Sequence, residues 1–281
     1  MRRSVFIFLY EIKKFLLRKP AEYGNSYLAV SYVTKKCVLY RRYRCRYNII
    51  KSCGERPLRS RNFDYIHTEE FIMKTAVICA NGKAGSLIVK EAVDRGLDVT
   101  AVVRGENKSV AKKAVIKDLF DLTAEDLKEF DVVIDACGGW TEDTIPVIPK
   151  AGKYLCDLLS GTDKRLVIVG GAGSLFVNKE HTLTVADGPD FPDAFKPLAA
   201  AHQVLLDGLR KRSDVKWTYI SPAGDFRADG ERTGKYILGG EELTLNSKGE
   251  SVISYADYAV ALVDEIINGN NIQKRISVVS E

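Results

Sequence analysis

A chain of 281 residues, 46% hydrophobic and 28% charged, is long enough to enclose one large domain or two modest ones around an ample core. It contains no apolar run long enough to cross a bilayer, so no membrane association is expected. The net charge of +5 is unevenly spread: residues 1–72 carry 16 basic and 6 acidic side chains, and residues 73–281 carry 26 and 31. The basic balance therefore belongs to the leading segment, and the remainder has no charge signature of a nucleic-acid binder.

The leading segment, 1–72, has no settled helical or strand period. "MRRSVFIFLY" begins like a signal peptide, but the apolar patch stops at Glu11 and no small-residue cleavage site follows. The tyrosines and arginines of "YRRYRCRYNIIK" are interleaved as in segments that track a nucleic-acid backbone. The plainer reading is a basic extension outside the folded unit, disordered or read in frame upstream of a natural start at Met73. Six cysteines divide evenly between the two parts, and no C-x-x-C pair occurs, so neither a zinc nor a thioredoxin-type site is indicated. Cys79 and Cys137 lie in apolar strand patterns and read as reduced, buried thiols, which suits a cytoplasmic location.

From Met73 the pattern becomes regular. "KTAVICA" predicts a buried strand, and the helix after Gly82 places Leu87, Ile88, Ala92 and Val93 on one face and stops at Gly96, a left-handed cap. "DVTAVVR", "KAVI" (113–116), "DVVIDAC" (131–137), "RLVIVGG" (165–171), "VKWTYIS" (215–221) and "RISVVS" (275–280) read as further strands. Helical patterns run over Ala124–Phe130, Glu142–Ser160, Asp193–Arg212 and Tyr255–Asn268. Val/Ile-rich strands alternating with helices predict a doubly wound α/β domain of the Rossmann type, with a mostly parallel sheet covered on both faces. Residues 230–245 predict a turn and a small hairpin over the site, where Arg232, Thr233 and Lys235 could meet an anionic acceptor.

Ligands of such sheets bind beyond the carboxyl ends of the strands. After the first strand, "CANGKAG" sets Gly82 and Gly85 at the mouth of a helix, whose unpaired N–H groups suit a pyrophosphate. Gly82 lets the backbone approach phosphate and Gly85 lets helix and strand pack closely. Cys79 stands where the full glycine spacing has its first glycine, a position where a positive φ would be strained. After the second strand, Arg104 replaces the acidic residue that accepts the ribose hydroxyls of NAD. A guanidinium grips a 2′-phosphate, so NADP(H) is expected over NAD, with Asn107 and Lys108 assisting. Asp118 and Leu119 follow the third strand beside the adenine, and Ala136, Cys137 and Gly138 follow the fourth beside the middle of the cofactor. Ser174 follows the fifth near the nicotinamide, and Pro222 and Ala223 follow the sixth beside the carboxamide. No metal site is indicated.

These segments, with "FPDAFKPLAAAH", "GERTGKY" and "ISYADYAVALVDEI", resemble the atypical short-chain dehydrogenase/reductase group. Within it they are most similar to the NAD(P)H-binding proteins of the NADH-flavin reductase, biliverdin/flavin reductase and nitrogen-metabolite-repressor-like type. The likeness covers 73–281 and none of 1–72. It implies NADPH contacts at Gly82, Lys83, Ala84 and Arg104. The Tyr-x-x-x-Lys pair of standard members does not occur after residue 73; its three matches lie in the leading segment. Ser174, Lys196 and His202 are the remaining polar candidates, with Ser174 and Lys196 taken as catalytic.

A ketone needs a positioned proton donor, whereas hydride transfer to a flavin or quinone needs mainly stacking geometry. The expectation is therefore an NADPH-dependent oxidoreductase acting on a small-molecule electron acceptor, with flavin as one possible substrate. The alternative is a non-catalytic NADPH sensor, and a nucleotide-sugar epimerase ranks third. The oligomeric state is left open.

Overall fold

The computed structural model describes residues 73–281. Expectations about 1–72, including its cysteines and the start at Met73, lie outside the described residues.

Strand β1 (Lys74–Ile78) runs through a glycine loop into helix α1 (Lys83–Asp94), and β2 (Asp98–Val103) and β3 (Lys113–Ile116) follow. Helix α2 (Ala124–Leu127) leads to β4 (Val132–Asp135), α3 (Val147–Leu159) to β5 (Arg165–Val169), and α4 (Lys196–Arg210) to β6 (Lys216–Ser221). The chain closes with β7 (Asp225–Arg227), β8 (Ile237–Gly239), β9 (Val252–Ser254), α5 (Tyr255–Asn268) and β10 (Lys274–Val279). Eight strands form one sheet in the order β3-β2-β1-β4-β5-β6-β10-β8, parallel throughout except for the β10–β8 pair. The Rossmann-type doubly wound architecture expected from the alternation is the one observed.

The strands are buried because both faces are covered. Ile88, Val89 and Ala92 of α1 and Leu262, Val263 and Ile266 of α5 pack on one face, over Val77, Ala101, Ile134 and Ile276. On the other, Ile148, Leu155 and Leu159 of α3 and Leu205, Leu206 and Leu209 of α4 cover Ile78, Val133, Leu166 and Trp217. Each of these valine, leucine and isoleucine side chains contributes roughly 1.5–3 kcal/mol when fully removed from water. Leu87 and Val93, also placed on the inner face of the first helix, are partly buried against the same layer.

Helix ends follow their sequence signals. Gly96 adopts φ +79° and its N–H bonds the Val93 carbonyl, closing α1. Thr123 and Asp126 form a reciprocal capping box on α2, and the Ser254 hydroxyl accepts the Asp257 N–H at 2.9 Å to start α5. Helix α3 begins at Val147 rather than Glu142, because residues 140–144 are turned back by the Thr144 hydroxyl, which accepts the Trp140 and Thr141 N–H groups. Helix α4 begins at Lys196, after a 3-10 turn over Asp193–Phe195.

Residues 230–245 do not form the expected hairpin. Asp257 accepts the Thr233 and Gly234 N–H groups at 2.9 and 2.7 Å and the Thr233 hydroxyl at 2.7 Å, pinning that turn to α5. Strand β8 then pairs antiparallel with β10, while β7 and β9 make a separate parallel pair. Arg232 is committed to Glu91, with two hydrogen bonds of 3.0 Å, so it and Thr233 are spoken for within the fold.

Candidate functional site

A cavity of about 1050 Å³ lies along the carboxyl ends of β1 to β6. That volume is at the upper end of small-molecule sites and suits an elongated ligand. The order β3-β2-β1-β4 places the reversal of strand order between β1 and β4, and the crevice opens there.

The loop between β1 and α1 forms the floor. Cys79 has φ +60°, a left-handed conformation, so the turn expected of a glycine is made here by a cysteine. Its carbonyl accepts the Gly82 N–H at 2.9 Å and lies against Gly85. A Cβ on Gly85 would overlap that carbonyl, so only glycine lets α1 approach β1 so closely. Helix α1 carries no side-chain cap at Gly82, which leaves its first N–H groups directed at the cavity. Asn81 ties this loop to the one after β2: its amide donates to the Glu106 carbonyl and its oxygen accepts the Lys108 N–H, both at 2.8 Å. The sequence reading missed this link, for which a polar residue inside a glycine loop is the only signal.

Beside it, Arg104 is exposed on the cavity wall and makes no ion pair among the described residues. Asn107 does not assist it, because its amide donates to Ala111 O at 2.9 Å and its oxygen accepts from Ser109. Asp118 and Leu119 line the same end, where Asp118 accepts the Phe120 N–H at 2.9 Å. Ala136, Cys137 and Gly138 line the middle, and Pro222 and Ala223 the far end. Of the residues assigned to the cofactor, Gly82, Lys83 and Ala84 and the strand-end residues Arg104, Asp118, Leu119, Ala136, Cys137, Gly138, Pro222 and Ala223 border the cavity, and Gly85 stands behind it as the packing glycine.

The thiols expected to be reduced are not. Cys79 and Cys137 form a disulfide with Cα atoms 5.3 Å apart, bridging the ends of β1 and β4. Neighbouring Asp135 is buried, and its carboxyl accepts the Cys137 N–H at 3.1 Å. Burial raises its pKa to about 7.

The far wall differs most from expectation. Ser174 is buried away from the cavity, where its hydroxyl accepts from Arg275 at 3.0 Å. Lys196 is exposed and pairs with Asp193 at 2.6 Å. Neither borders the cavity; the glycines at 170, 171 and 173 press the chain against β6 and α4 and carry Ser174 past the rim. His202 is the polar side chain of α4 that does border it. Burial lowers its pKa to about 4, so the imidazole is neutral. Tyr219, whose phenol burial pushes up, accepts the Gly171 N–H at 2.9 Å and shares a hydrogen bond of 3.2 Å with His202 Nδ1. The cavity is also lined by Trp140, Phe191, Phe195, Phe226 and Tyr255, aromatics that the strand-end reading did not identify.

These residues fit a dinucleotide. A Cβ on Gly82 would come within 3.1 Å of the Cys79 carbonyl, and Gly138 faces open space, so backbone is exposed on both sides of the crevice. No helix among the described residues is long and apolar enough to cross a membrane, and no cluster of metal-ligating side chains occurs among them.

Residues 79–266 match the family model described as NAD(P)H-binding. An uncharacterised protein of Bacillus subtilis, YwnB, is 43% identical over 213 residues, covering 74% of this chain and 99% of that protein. A crystal structure from Streptococcus pneumoniae named a "putative NADH-flavin reductase" is 54% identical, with a TM-score of 0.73 over 74% of this chain and all of that one. A Burkholderia pseudomallei structure named an exported protein is 36% identical with a TM-score of 0.66, over the same share of this chain and all of its own. The glycine loop at a bare helix mouth, the strand-end cavity and the family match agree, and the chain belongs to the NAD(P)H-binding family of the atypical short-chain dehydrogenase/reductase group.

Proposed function

We propose that the protein is an NADPH-dependent reductase that passes hydride to a flavin, a quinone or a similar conjugated acceptor. The observation that carries this reading is the composition of the far end of the cavity. From β4 onward it is lined by small and aliphatic residues, aromatics, neutral His202 and Asp225, whose carboxylate is paired with Arg227, with no lysine or arginine. A lysine-activated tyrosine, the proton donor a ketone or alcohol would require, has no counterpart there. Tyr255 borders the cavity, but burial raises its phenol pKa and no lysine or arginine stands among the lining residues of that end to lower it. A planar acceptor needs only to stack in line, with water supplying the proton. The neighbouring S. pneumoniae protein bears a name of this class.

In this reading the N–H groups of Lys83 and Ala84 hold the pyrophosphate at the mouth of α1, and Gly82 lets the backbone approach it. Arg104 takes the 2′-phosphate, and Asp118 and Leu119 flank the adenine. Ala136, Cys137 and Gly138 run under the middle of the cofactor, and Pro222 and Ala223 meet the carboxamide. When bound, NADPH supplies the hydride; Trp140, Phe191 and Phe195 hold the acceptor's plane, and Tyr219 fixes the tautomer of His202 so that Nε2–H can donate to an acceptor carbonyl.

The test is NADPH oxidation by the purified protein across flavins, quinones and simple ketones, followed at the nicotinamide absorbance. Saturable consumption with a conjugated acceptor and none with ketones is expected. Tight NADPH binding with no turnover on any acceptor would instead identify a sensor.

A further inference from the structure

The disulfide occupies the place in the fold where a switch would act most directly on nucleotide binding. Ile78, the last residue of β1, is in register with Asp135, the last of β4. Cys79 follows the first directly and Cys137 lies two residues beyond the second, so the bridge spans the crevice at the reversal of strand order. Both cysteines border the cavity, and the backbone on either side of them is the floor over which the middle of a dinucleotide passes. A bridge between Cys79 and Cys137 fixes both sulfurs in that crevice, whereas two thiols rotate independently about χ1 and can part. Cys79 also belongs to the loop that positions the first N–H groups of α1, at a left-handed φ that side chains rarely adopt. The third described cysteine, Cys156, is a contrast: it is buried, free and has its thiol pushed up to about 12 by burial.

We infer that Cys79 and Cys137 are a reversible redox modification site, whose thiol form binds NADPH more tightly than its disulfide form. The oxidant is a hydroperoxide. Cys79, the more exposed of the two, attacks the peroxide oxygen as thiolate and becomes a sulfenic acid as the O–O bond breaks, releasing water from hydrogen peroxide. The Cys137 thiolate then attacks that sulfur, and the hydroxyl leaves as a second water. In balance, two thiols and one hydrogen peroxide give one disulfide and two waters. A dithiol restores the pair by exchange and is itself left as a disulfide.

This inference rests on the reading of the cavity as the nucleotide site. The experiment uses the full chain, reduced with dithiothreitol or oxidised with one equivalent of hydrogen peroxide. Remaining thiols are alkylated, the pairing is mapped by mass spectrometry, and NADPH affinity is measured by calorimetry in each state. A Cys79–Cys137 peptide in the oxidised sample, with affinity at least tenfold weaker than in the reduced one, is expected. By reciprocity NADPH must then favour reduction of the pair, raising its midpoint potential by about 30 mV for each tenfold difference. Cys79→Gly, which suits the left-handed position, is expected to bind NADPH equally before and after peroxide. Equal affinities in the two wild-type states, or no Cys79–Cys137 pairing on oxidation, would overturn the switch while leaving the nucleotide site in place. Absence of NADPH binding in both states would overturn both readings.

Discussion

At the scale of single residues, the site is decided by a few side chains that break a local rule. Arg104 stands where a ribose-binding carboxylate would be and lacks an ion pair among the described residues. Arg104→Glu is expected to weaken NADPH binding by tenfold or more and to change NADH binding little, as measured by titration; equal losses would remove Arg104 from the 2′-phosphate. Asp135 is a second such residue. Its pKa is raised from an ordinary 3.8 to about 7, so the folded protein holds a proton that the unfolded chain has released. Stability is therefore undiminished below about pH 4, falls as pH rises toward 7, and stays reduced above it. At about 1.4 kcal/mol per pKa unit the cost is on the order of 4 kcal/mol. Asp135→Asn, which keeps an oxygen for the Cys137 N–H, is expected to flatten the decline between pH 4 and 7 in urea unfolding; an unchanged slope would show that Asp135 does not titrate in this range. His202 works in the opposite sense. Its pKa is lowered from 6.5 to about 4, and its contribution is lost as pH falls through that window.

At the scale of elements, the sheet is joined to α5 by charge as well as by apolar packing. Buried Arg165 of β5 donates to Glu265 of α5, both to its carboxylate and to its carbonyl, the latter at 2.7 Å, and to the Thr218 hydroxyl at 2.8 Å. Glu265 in turn accepts the Asn271 N–H at 2.9 Å and so holds the turn into β10. Removing one partner leaves a buried guanidinium uncompensated, so Glu265→Ala should cost about 3–5 kcal/mol in chemical unfolding, and Glu265→Gln less. A loss below 1 kcal/mol for the alanine variant would contradict this account of the pair.

Much of this layout was legible because Val- and Ile-rich strands and amphipathic helices each repeat over enough residues to set a period. The seven long strands and the ends of α5 are cases in point. What escaped was short or distant. Strands β7, β8 and β9 are three residues each, too brief for alternation to register. The expected hairpin failed because Asp257, far along the chain, takes the backbone donors of its turn. Residues placed after the strands from sequence border the cavity, apart from Ser174, since a parallel sheet exposes the residue after each strand. The Cys79–Cys137 bridge joins positions 58 apart, and the pairing of Tyr219 with His202 joins a strand to a helix; neither relation has a local signature. Ser174 was misplaced for the same reason, since its partner Arg275 is 101 residues away.

At the scale of the molecule, residues 73–281 contain the whole described sheet, both helical layers and every residue of the cavity. Relatives are spanned end to end, or nearly so, by 74% of this chain. A protein beginning at Met73 is therefore expected to unfold in one cooperative transition and to bind NADPH with the affinity of the full chain. Aggregation, or loss of binding, would assign the first 72 residues a part in the folded unit.

The central claim, hydride transfer to a conjugated acceptor in an aromatic-lined cavity without a tyrosine–lysine donor, is tested most directly by anaerobic single-turnover mixing of enzyme, C4-deuterated NADPH and a flavin. The account predicts reduced flavin appearing as NADPH disappears, one for one, with a primary isotope effect on the matching deuterated face. Bound NADPH that persists unoxidised while flavins and quinones are present in excess would contradict it.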